Sequence, residues 1–597
     1  MSKKQWILLA FIIGCFALLY PYCFDSKVDP NGDNVSYYLL GKGLVNGSGY
    51  VSYYTVPPKP ETHFPPGYPA LIAAIGNLSG AEIETIKATN GLFFLIVILL
   101  VFLLALKLGF SDLLATATAL SVMISPNILR FSTIMMSELF YSALSMGFLV
   151  LCTRIKFDVP WFKSGDFLFA LIVLIASIYV RSVGIAMVFG ATVYFVLGYK
   201  WKHAMVMVGV ATIAVLPWII RANRIGGNTY AEQLSMVNPY DSAAGLVGLM
   251  DLVNRVWGNA IRYFAREIPS GIFELHVASN TRPYSLLEWI FAVALVAIIA
   301  YGAIKWKAYR WLLYAYVAAF FGILLLWPSV WIGPRFIIPI IPLLLMMGWN
   351  GVHHIVELDW PAFRKDGFLK RSHLIMGLLF FYAVAQYPNI KSLNEIGSSN
   401  YVTQLAGYIK AAQWVKENTP EDAIVCCRKG SLFHLFSERK VTGYRSTLNA
   451  EWLFQDLEDK GVDYLVLDEF GFASSSAYLK PAGLKYPDKV EFVYMVPKSK
   501  TFVGAFHPNL GYSGTFLNDK RHGWGTLRWA IGQCFDGAFK NGKAHGRGEL
   551  YYPNGLILKG AWNQDRLDGP AEVYNAKGQK IEDRLYKEGT IVSYPES

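Results

Sequence analysis

Eleven stretches of this chain are apolar over the length that a helix needs to cross a bilayer. They run at about 5–22, 90–108, 112–128, 137–153, 167–181, 183–198, 204–220, 286–304, 311–331, 336–352 and 372–387. A spanning helix takes about 20 apolar residues. Backbone groups in hydrocarbon find no water, so they must be satisfied within the helix itself. The expectation is an α-helical polytopic membrane protein. Composition agrees, with 54% hydrophobic and 16% charged residues against about 25% charged in soluble domains. A soluble enzyme and a disordered scaffold are both excluded. Lys3 and Lys4 precede the first stretch as they would in a signal peptide. No small-residue cleavage site follows, so that stretch reads as an anchor.

The basic residues sort by loop. With a cytoplasmic N-terminus, the inner loops hold Arg154, Lys156 and Lys163, then Lys200 and Lys202. Next come Lys305, Lys307 and Arg310, and finally Arg364, Lys365, Lys370 and Arg371. This is the positive-inside pattern. The net charge of +11 is then mostly a topology signal, and no nucleic-acid partner is expected. An odd number of spans places the C-terminus outside. Three segments face that side: residues 23–89, residues 221–285 and everything after about 388. Six cysteines in 597 residues are no disulfide framework. Cys426 and Cys427 are adjacent, with no second pair nearby, so no metal set is read from the cysteines.

Composition changes after the last span. Residues 408–425 read as an amphipathic helix, a Thr-Pro stop and a strand, and 462–470 and 489–497 as further strands. Alternating helix and strand imply a small α/β domain. The expected domains are 1–387 in the membrane, 388–510 as the α/β domain, and 511–597.

The last domain is repetitive. YSGTFLNDKRHGWGTL (512–527), FDGAFKNGKAHGRGEL (535–550) and LKGAWNQDRLDGPAEV (558–573) start 23 residues apart, and a degenerate fourth unit begins at Ile581. Each unit has an aromatic or Leu first, Gly two residues later and an aromatic at the fifth position. Such hairpins cannot bury a face alone, so they stack. The spacing resembles the MORN repeat, which implies a β-hairpin array serving as a structural or interaction surface.

Ionisable residues at span ends are costly and usually functional. Here they gather on the expected outer side. Asp33 precedes a segment whose Tyr37, Leu40 and Leu44 share a helical face, suited to the membrane interface. Taken alone, Asp33 reads first as that helix's N-cap. His63 precedes the double proline of HFPPGYP. Glu138 starts the fourth span, Arg181 lies in the turn YVRSVG, Arg221 ends PWIIR, and Arg335 sits in GPRFIIPIIP. Positive-inside placement does not account for three outer arginines, which instead suit an anionic ligand such as phosphate.

These motifs, in this order over about residues 1–387, resemble the polytopic GT-C glycosyltransferases. That family includes the dolichyl- or polyprenyl-phosphate-dependent mannosyl- and aminoarabinose-transferases. The segment 401–506 also looks like the C-terminal domain of bacterial members. The resemblance implies a polyprenyl-phosphate-linked sugar donor and an extracytoplasmic acceptor, which is a glycolipid, an envelope polysaccharide or a protein. It makes Asp33 the catalytic carboxylate, with Arg181 or Arg335 stabilising the departing phosphate. His63, Glu138 and Arg221 would line the same donor site, and Glu138 would shape its polar end or help hold a divalent cation. It implies a bacterial inner (plasma) membrane with periplasmic C-terminal domains and membrane lipids as partners. A single Asp base fits an inverting displacement better than the two-carboxylate retaining scheme. The competing readings are a transporter or flippase of lipid-linked saccharides and a non-enzymatic MORN scaffold. The first should show repeated spans and polar groups at the bilayer midplane, and neither is visible in the sequence.

Overall fold

The computed structural model describes every residue except 31–32, 81, 227–228, 240–244, 275–284, 359–370, 471–474, 519, 530 and 594–597. Arg364, Lys365 and Lys370 of the last expected inner loop lie outside the described residues. The chain divides into two compact units. One is Met1–Ser52 with Pro60–Asn400, and the other is Tyr53–Lys59 with Tyr401–Ser597.

The first unit is helical, and each of the eleven apolar stretches is largely helical. It opens with α1 (Lys3–Cys23), α2 (Asn34–Val45), α3 (Gly67–Ser79) and α4 (Ile83–Lys107). Next come α5 (Asp112–Met123), α6 (Pro126–Ser132), α7 (Glu138–Cys152), α8 (Gly165–Val180) and α9 (Ile185–Leu197). They are followed by α10 (Trp201–Ile225), α11 (Thr229–Ser235), α12 (Leu249–Arg262) and α13 (Ile268–Phe273). The unit closes with α14 (Leu286–Lys305), α15 (Arg310–Leu326), α16 (Ile341–Val356) and α17 (Arg371–Ser398). Five of these helices, counting α16 with the turn before it, are long and apolar enough to cross a membrane alone. The third expected span is bent by 59° between α5 and α6, where Ser125 and Pro126 interrupt the helix. Four others are shorter apolar helices. The expected boundary at 387/388 falls inside α17, which runs on to Ser398. Its last carbonyls, those of Ile396 and Gly397, accept from Lys27 Nζ at 2.6 and 2.9 Å, a cation where the helix dipole favours one.

The spans pack through small residues. A Cβ on Gly302 of α14 would collide with the backbone of Met347 and Gly351 in α16. Close backbone approach is how helices gain contact in lipid, where no hydrophobic force drives them together. The core of the bundle is lined by Phe94, Phe102, Phe148 and Phe320, all fully or almost fully buried. α12 is inverted relative to a soluble amphipathic helix. Its Arg255 and Asn259 are buried, whereas Leu249, Met250, Val253 and Trp257 are exposed. An apolar face turned outward suits an element lying in a bilayer interface.

α2 is buried more deeply than its periodicity implies. It packs on α3 and buries Asn34, Val35 and every residue from Tyr37 to Gly41, more than the single apolar face of Tyr37, Leu40 and Leu44. The loop after α2 carries the two-residue strands β1 (Val51–Ser52) and β2 (Lys59–Pro60).

The second unit holds a five-stranded mixed sheet and an eight-stranded antiparallel one. The first is built from β3 (Ile424–Cys426), β4 (Lys440–Thr442), β5 (Tyr464–Leu467), β6 (Val490–Val496) and β7 (Thr501–Phe506), in the order β4-β3-β5-β7-β6. Helices α18 (Thr403–Asn418), α19 (Gly430–Ser437), α20 (Ala450–Asp459) and α21 (Lys480–Lys485) intervene, which is the expected α/β character. Residues 53–59 belong here because Val56 N–H donates to Val441 O at 3.0 Å and Val441 N–H to Tyr54 O at 2.8 Å.

The repeats are four successive hairpins, β8 (Gly511–Leu517) to β15 (Thr590–Ser593), in sequential order. The period follows from the packing. Gly537 and Gly548 pair across one hairpin, and the Phe535 ring lies over both. Tyr512 covers Gly514 and Gly525 in the same way. Tyr512, Phe535, Phe539 and Leu558 share one buried core. The turns carry positive φ at Asn541–Gly542, Gln564–Asp565 and Glu588–Gly589, as tight hairpins require. The degenerate fourth unit forms the last hairpin, β14 (Lys580–Lys587) with β15.

Candidate functional site

Asp33 occupies the N-cap position of α2, but its side chain makes no capping hydrogen bond. Its backbone, at φ −101° and ψ 7°, lacks the extended conformation from which a side chain caps. The carboxylate instead accepts from Arg335, with Nη2 to Oδ2 at 3.0 Å. Arg335 reaches it from the 3₁₀ turn Pro334–Ile340 that opens the tenth span. Gly333, just ahead, has φ +114°, a backbone conformation that L side chains rarely adopt. The guanidinium lies over the Phe336 ring, 4.7 Å from its centroid. Its buried Nε has no hydrogen-bond partner among the described residues.

A second pair lies alongside. Glu138 is fully buried at the start of α7, where the helix dipole favours a carboxylate. Arg181 Nη1 is 2.8 Å from Glu138 Oε1 and donates to Ser137 Oγ at 3.0 Å. Arg181 stands in extended conformation at the end of α8. Gly67, in the PPGYP segment, touches that same end, since a Cβ there would meet Tyr179 C and O at 2.7 Å. The first turn of α3 therefore seats against the Arg181 corner only because residue 67 is glycine. Both pairs belong to one electrostatic cluster: Glu138, Asp33 and Arg181 all act on the charge of Arg335.

His63 joins the cluster from the loop before α3. Its backbone N–H donates to Glu61 Oε1 at 2.6 Å, and that of Phe64 to the same oxygen at 3.1 Å. Burial pushes the His63 imidazole below its ordinary pKa. Asp33 opposes that shift and Arg335 adds to it. Glu61 is pushed up by burial and pulled back by the N–H groups of residues 62–64 and by Arg221.

Arg221 is engaged elsewhere. Its Nη1 donates to Glu61 O at 2.6 Å and its Nη2 to Tyr50 O at 3.1 Å. The guanidinium also lies 5.5 and 5.3 Å from the ring centroids of Tyr50 and Trp218. It fastens the first loop rather than facing Asp33. The structure thus gathers Asp33, His63, Glu138, Arg181 and Arg335, and leaves Arg221 as a strut of the loop that carries His63.

Sequence reasoning missed the buried polar frame beneath this cluster. Asn90 Nδ2 donates to Tyr68 Oη at 2.9 Å and to the carbonyls of Ile134 and Met136 at 2.5 and 3.2 Å. It ties α4 to α3 and to the turn that delivers Ser137 and Glu138. Lys87, on the same helix, donates to Asp25 O at 2.8 Å and to Lys27 O. Both residues were readable as polar groups inside an apolar helix, which demand partners. Glu61 had no signal beyond its place two residues before His63.

The residues do not fit the divalent cation that the family resemblance allowed for. Among the described residues, no three His, Cys, Asp or Glu side chains converge to hold one. Asp33 and Glu138 each face an arginine.

Among the solved structures that resemble the chain are three with informative ligands or peptides. The oligosaccharyltransferase of Archaeoglobus fulgidus, tethered to an acceptor peptide, aligns with TM-score 0.52 at 16% identity over 85% of this chain and 74% of its own. The oligosaccharyltransferase AglB from Archaeoglobus fulgidus, with an inhibitory peptide and a dolichol-phosphate, aligns with TM-score 0.52 at 15% identity over 84% and 74%. ArnT from Cupriavidus metallidurans bound to undecaprenyl phosphate aligns with TM-score 0.56 at 13% identity over 84% and 98%. The MORN repeat family matches residues 512–534 and 535–557. No curated protein matches the sequence significantly. The chain therefore has the GT-C fold of these membrane enzymes, joined to a C-terminal MORN hairpin array.

Proposed function

We propose that the protein is an integral-membrane glycosyltransferase that moves a sugar from a polyprenyl-phosphate donor to an extracytoplasmic acceptor. The observation that carries this reading is the partly exposed Asp33–Arg335 pair, beside Glu138–Arg181, on a fold whose neighbours hold dolichol-phosphate and undecaprenyl phosphate. Asp33 accepts the proton of the acceptor O–H as that oxygen attacks the anomeric carbon. The bond from that carbon to the phosphate oxygen breaks, and polyprenyl phosphate leaves with the electron pair. The Arg335 side chain is partly exposed, so a donor phosphate can recruit its guanidinium while Arg181 adds positive potential. His63, kept neutral by its burial, orients polar groups without adding a competing charge. The reaction inverts the anomeric centre in one displacement, and no step is routed through a metal. Sugar and acceptor class follow from assay. The proposed setting is an inner or plasma membrane, with the N-terminus cytoplasmic and the C-terminal domains periplasmic.

The test is sugar transfer from a panel of radiolabelled polyprenyl-phosphate sugars, using membranes with wild type or equally abundant Asp33→Ala. Transfer by wild type alone supports the reading. Equal transfer by both removes Asp33 from the chemistry. No transfer from any donor, with saccharide flux instead, replaces the enzyme by a transporter.

A further inference from the structure

The segment that delivers Arg335 is gripped by one neighbouring helix at alternate residues. Asn259 Nδ2 of α12 donates to the carbonyls of Leu325 and Trp327 at 2.9 and 2.8 Å. Arg262 donates to Ser329 O at 2.6 Å and to Trp331 O at 3.2 Å. Glu267 Oε1 then accepts the N–H of Gly333 at 3.0 Å, two residues before Arg335. Five backbone groups across nine residues, 325–333, are thus held by three side chains.

The helix is built to do this. Asn259 and Arg262 are three apart and share a face. Glu267 is five residues beyond Arg262, a spacing that in an unbroken α-helix turns a side chain away from that face. Here Tyr263–Glu267 form a π turn, with Ile268 N–H bonded to Tyr263 O. The wider turn brings Glu267 back into line, and such turns recur at functional sites. Glu267 is 3% exposed, and its Oε1 lies 3.8 Å from Arg262 Nε. A buried carboxylate is costly unless it is paired and hydrogen-bonded, and the N–H of Gly333 is one of its partners.

Resting on the function proposed above, we infer that Glu267 is a positioning residue for the transfer reaction, fixing the Gly333–Arg335 corner so that Arg335 meets Asp33 and the donor phosphate. It touches no reacting group.

The test uses full-length protein in nanodiscs with Glu267→Ala, Glu267→Gln, Arg335→Gln and the Glu267→Ala/Arg335→Gln double variant. Two readouts are taken: hydrogen exchange of the amides of Gly333 and Arg335–Ile337, and transfer kinetics. Glu267→Ala should speed exchange at those amides and lower kcat by about 100-fold, the effect of misplacing a catalytic group by about 1 Å. Glu267→Gln keeps an acceptor for Gly333 and should recover most of both. In the Arg335→Gln background, adding Glu267→Ala should lower kcat no further, because the residue acts through Arg335. Unchanged exchange in Glu267→Ala overturns the clamp. An equal fall in kcat with and without Arg335 also overturns the inference, since Glu267 would then support the fold in general. The exchange readout needs no turnover. Wild type that transfers nothing, yet shows the exchange effect, overturns the functional reading and leaves the clamp standing.

Discussion

Asp33→Asn separates chemistry from structure at this site. Asparagine keeps the shape and an oxygen for Arg335, but removes the charge and the proton-accepting capacity. Two unit charges at the observed 3.0 Å attract by about 5.5 kcal/mol at an effective dielectric of about 20. The Arg335 and Asp33 side chains remain 28% and 33% exposed. Water compensates both ions when the pair opens, so its net contribution falls to about 1 kcal/mol or less. The thermal midpoint should barely move. Turnover obeys a different scale. A positioned general base contributes about 10²–10⁴-fold, which is about 2.7–5.5 kcal/mol of transition-state stabilisation. The signature is therefore a disproportion: a loss of at least about 100-fold in kcat beside a stability change near zero. The assay is single-turnover transfer at saturating donor, paired with thermal unfolding of the same nanodisc preparation. If the Asn variant kept most of the wild-type rate, Asp33 would be an ion-pair partner and no base. If stability fell by several kcal/mol, the exposure argument would be wrong and activity loss would say nothing about chemistry.

The remaining expectations follow from the surrounding groups. Glu138 is fully buried against Arg181 at 2.8 Å, so Glu138→Gln or Arg181→Met alone should destabilise by about 3–5 kcal/mol, while the double variant recovers much of that; a double-mutant cycle of thermal unfolding with no coupling would refute the pairing. Burial lowers the His63 pKa, so the folded state binds its proton less readily than the unfolded chain. The resulting stability is complete above about pH 6.5 and is lost as pH falls through the folded value. His63→Gln should flatten that slope between neutral and mildly acidic pH, and an unaltered slope would assign the titration elsewhere. In the hairpin array, a Cβ on Gly548 would strike the Phe535 ring, so Gly548→Val should cost about 1–3 kcal/mol by overpacking. Limited proteolysis should then cut the array early, whereas cleavage at the wild-type rate would show that the ring can move aside.

The helices were legible because hydrocarbon leaves the chain few choices. A run of about 20 apolar residues must become a helix, and the glycine period of the repeats could only be a stack of hairpins. The charged residues were legible as a set, since arginines at the ends of outer spans break the positive-inside pattern. Their pairing was not. Nothing local tells Arg335 to meet Asp33 302 residues away, or Arg221 to bond Tyr50 O and Glu61 O. Those outcomes depend on which helix ends converge, which is a property of packing. For the same reason Asp33 makes no capping bond: its carboxylate goes to a distant guanidinium and not to the local amides. The periodicity of α2 shows one apolar face, but periodicity cannot say that α3 packs against it.

The two arginine–carboxylate pairs are chemically alike and differ in how readily they can open. Glu138 is sealed, and removing its partner would strand a charge in a medium where that costs several kcal/mol. Arg181 is therefore held in one place, whatever enters the site. Arg335 is partly exposed, as is its partner, and its exchange from Asp33 to an incoming phosphate costs little. On the proposed reading, donor binding and base release are the same event. The phosphate that recruits Arg335 frees the Asp33 carboxylate to accept the proton, so the base becomes available only when there is a leaving group to match it. The α12 clamp acts on this step, because a guanidinium that must pass between two partners has to start from a fixed backbone.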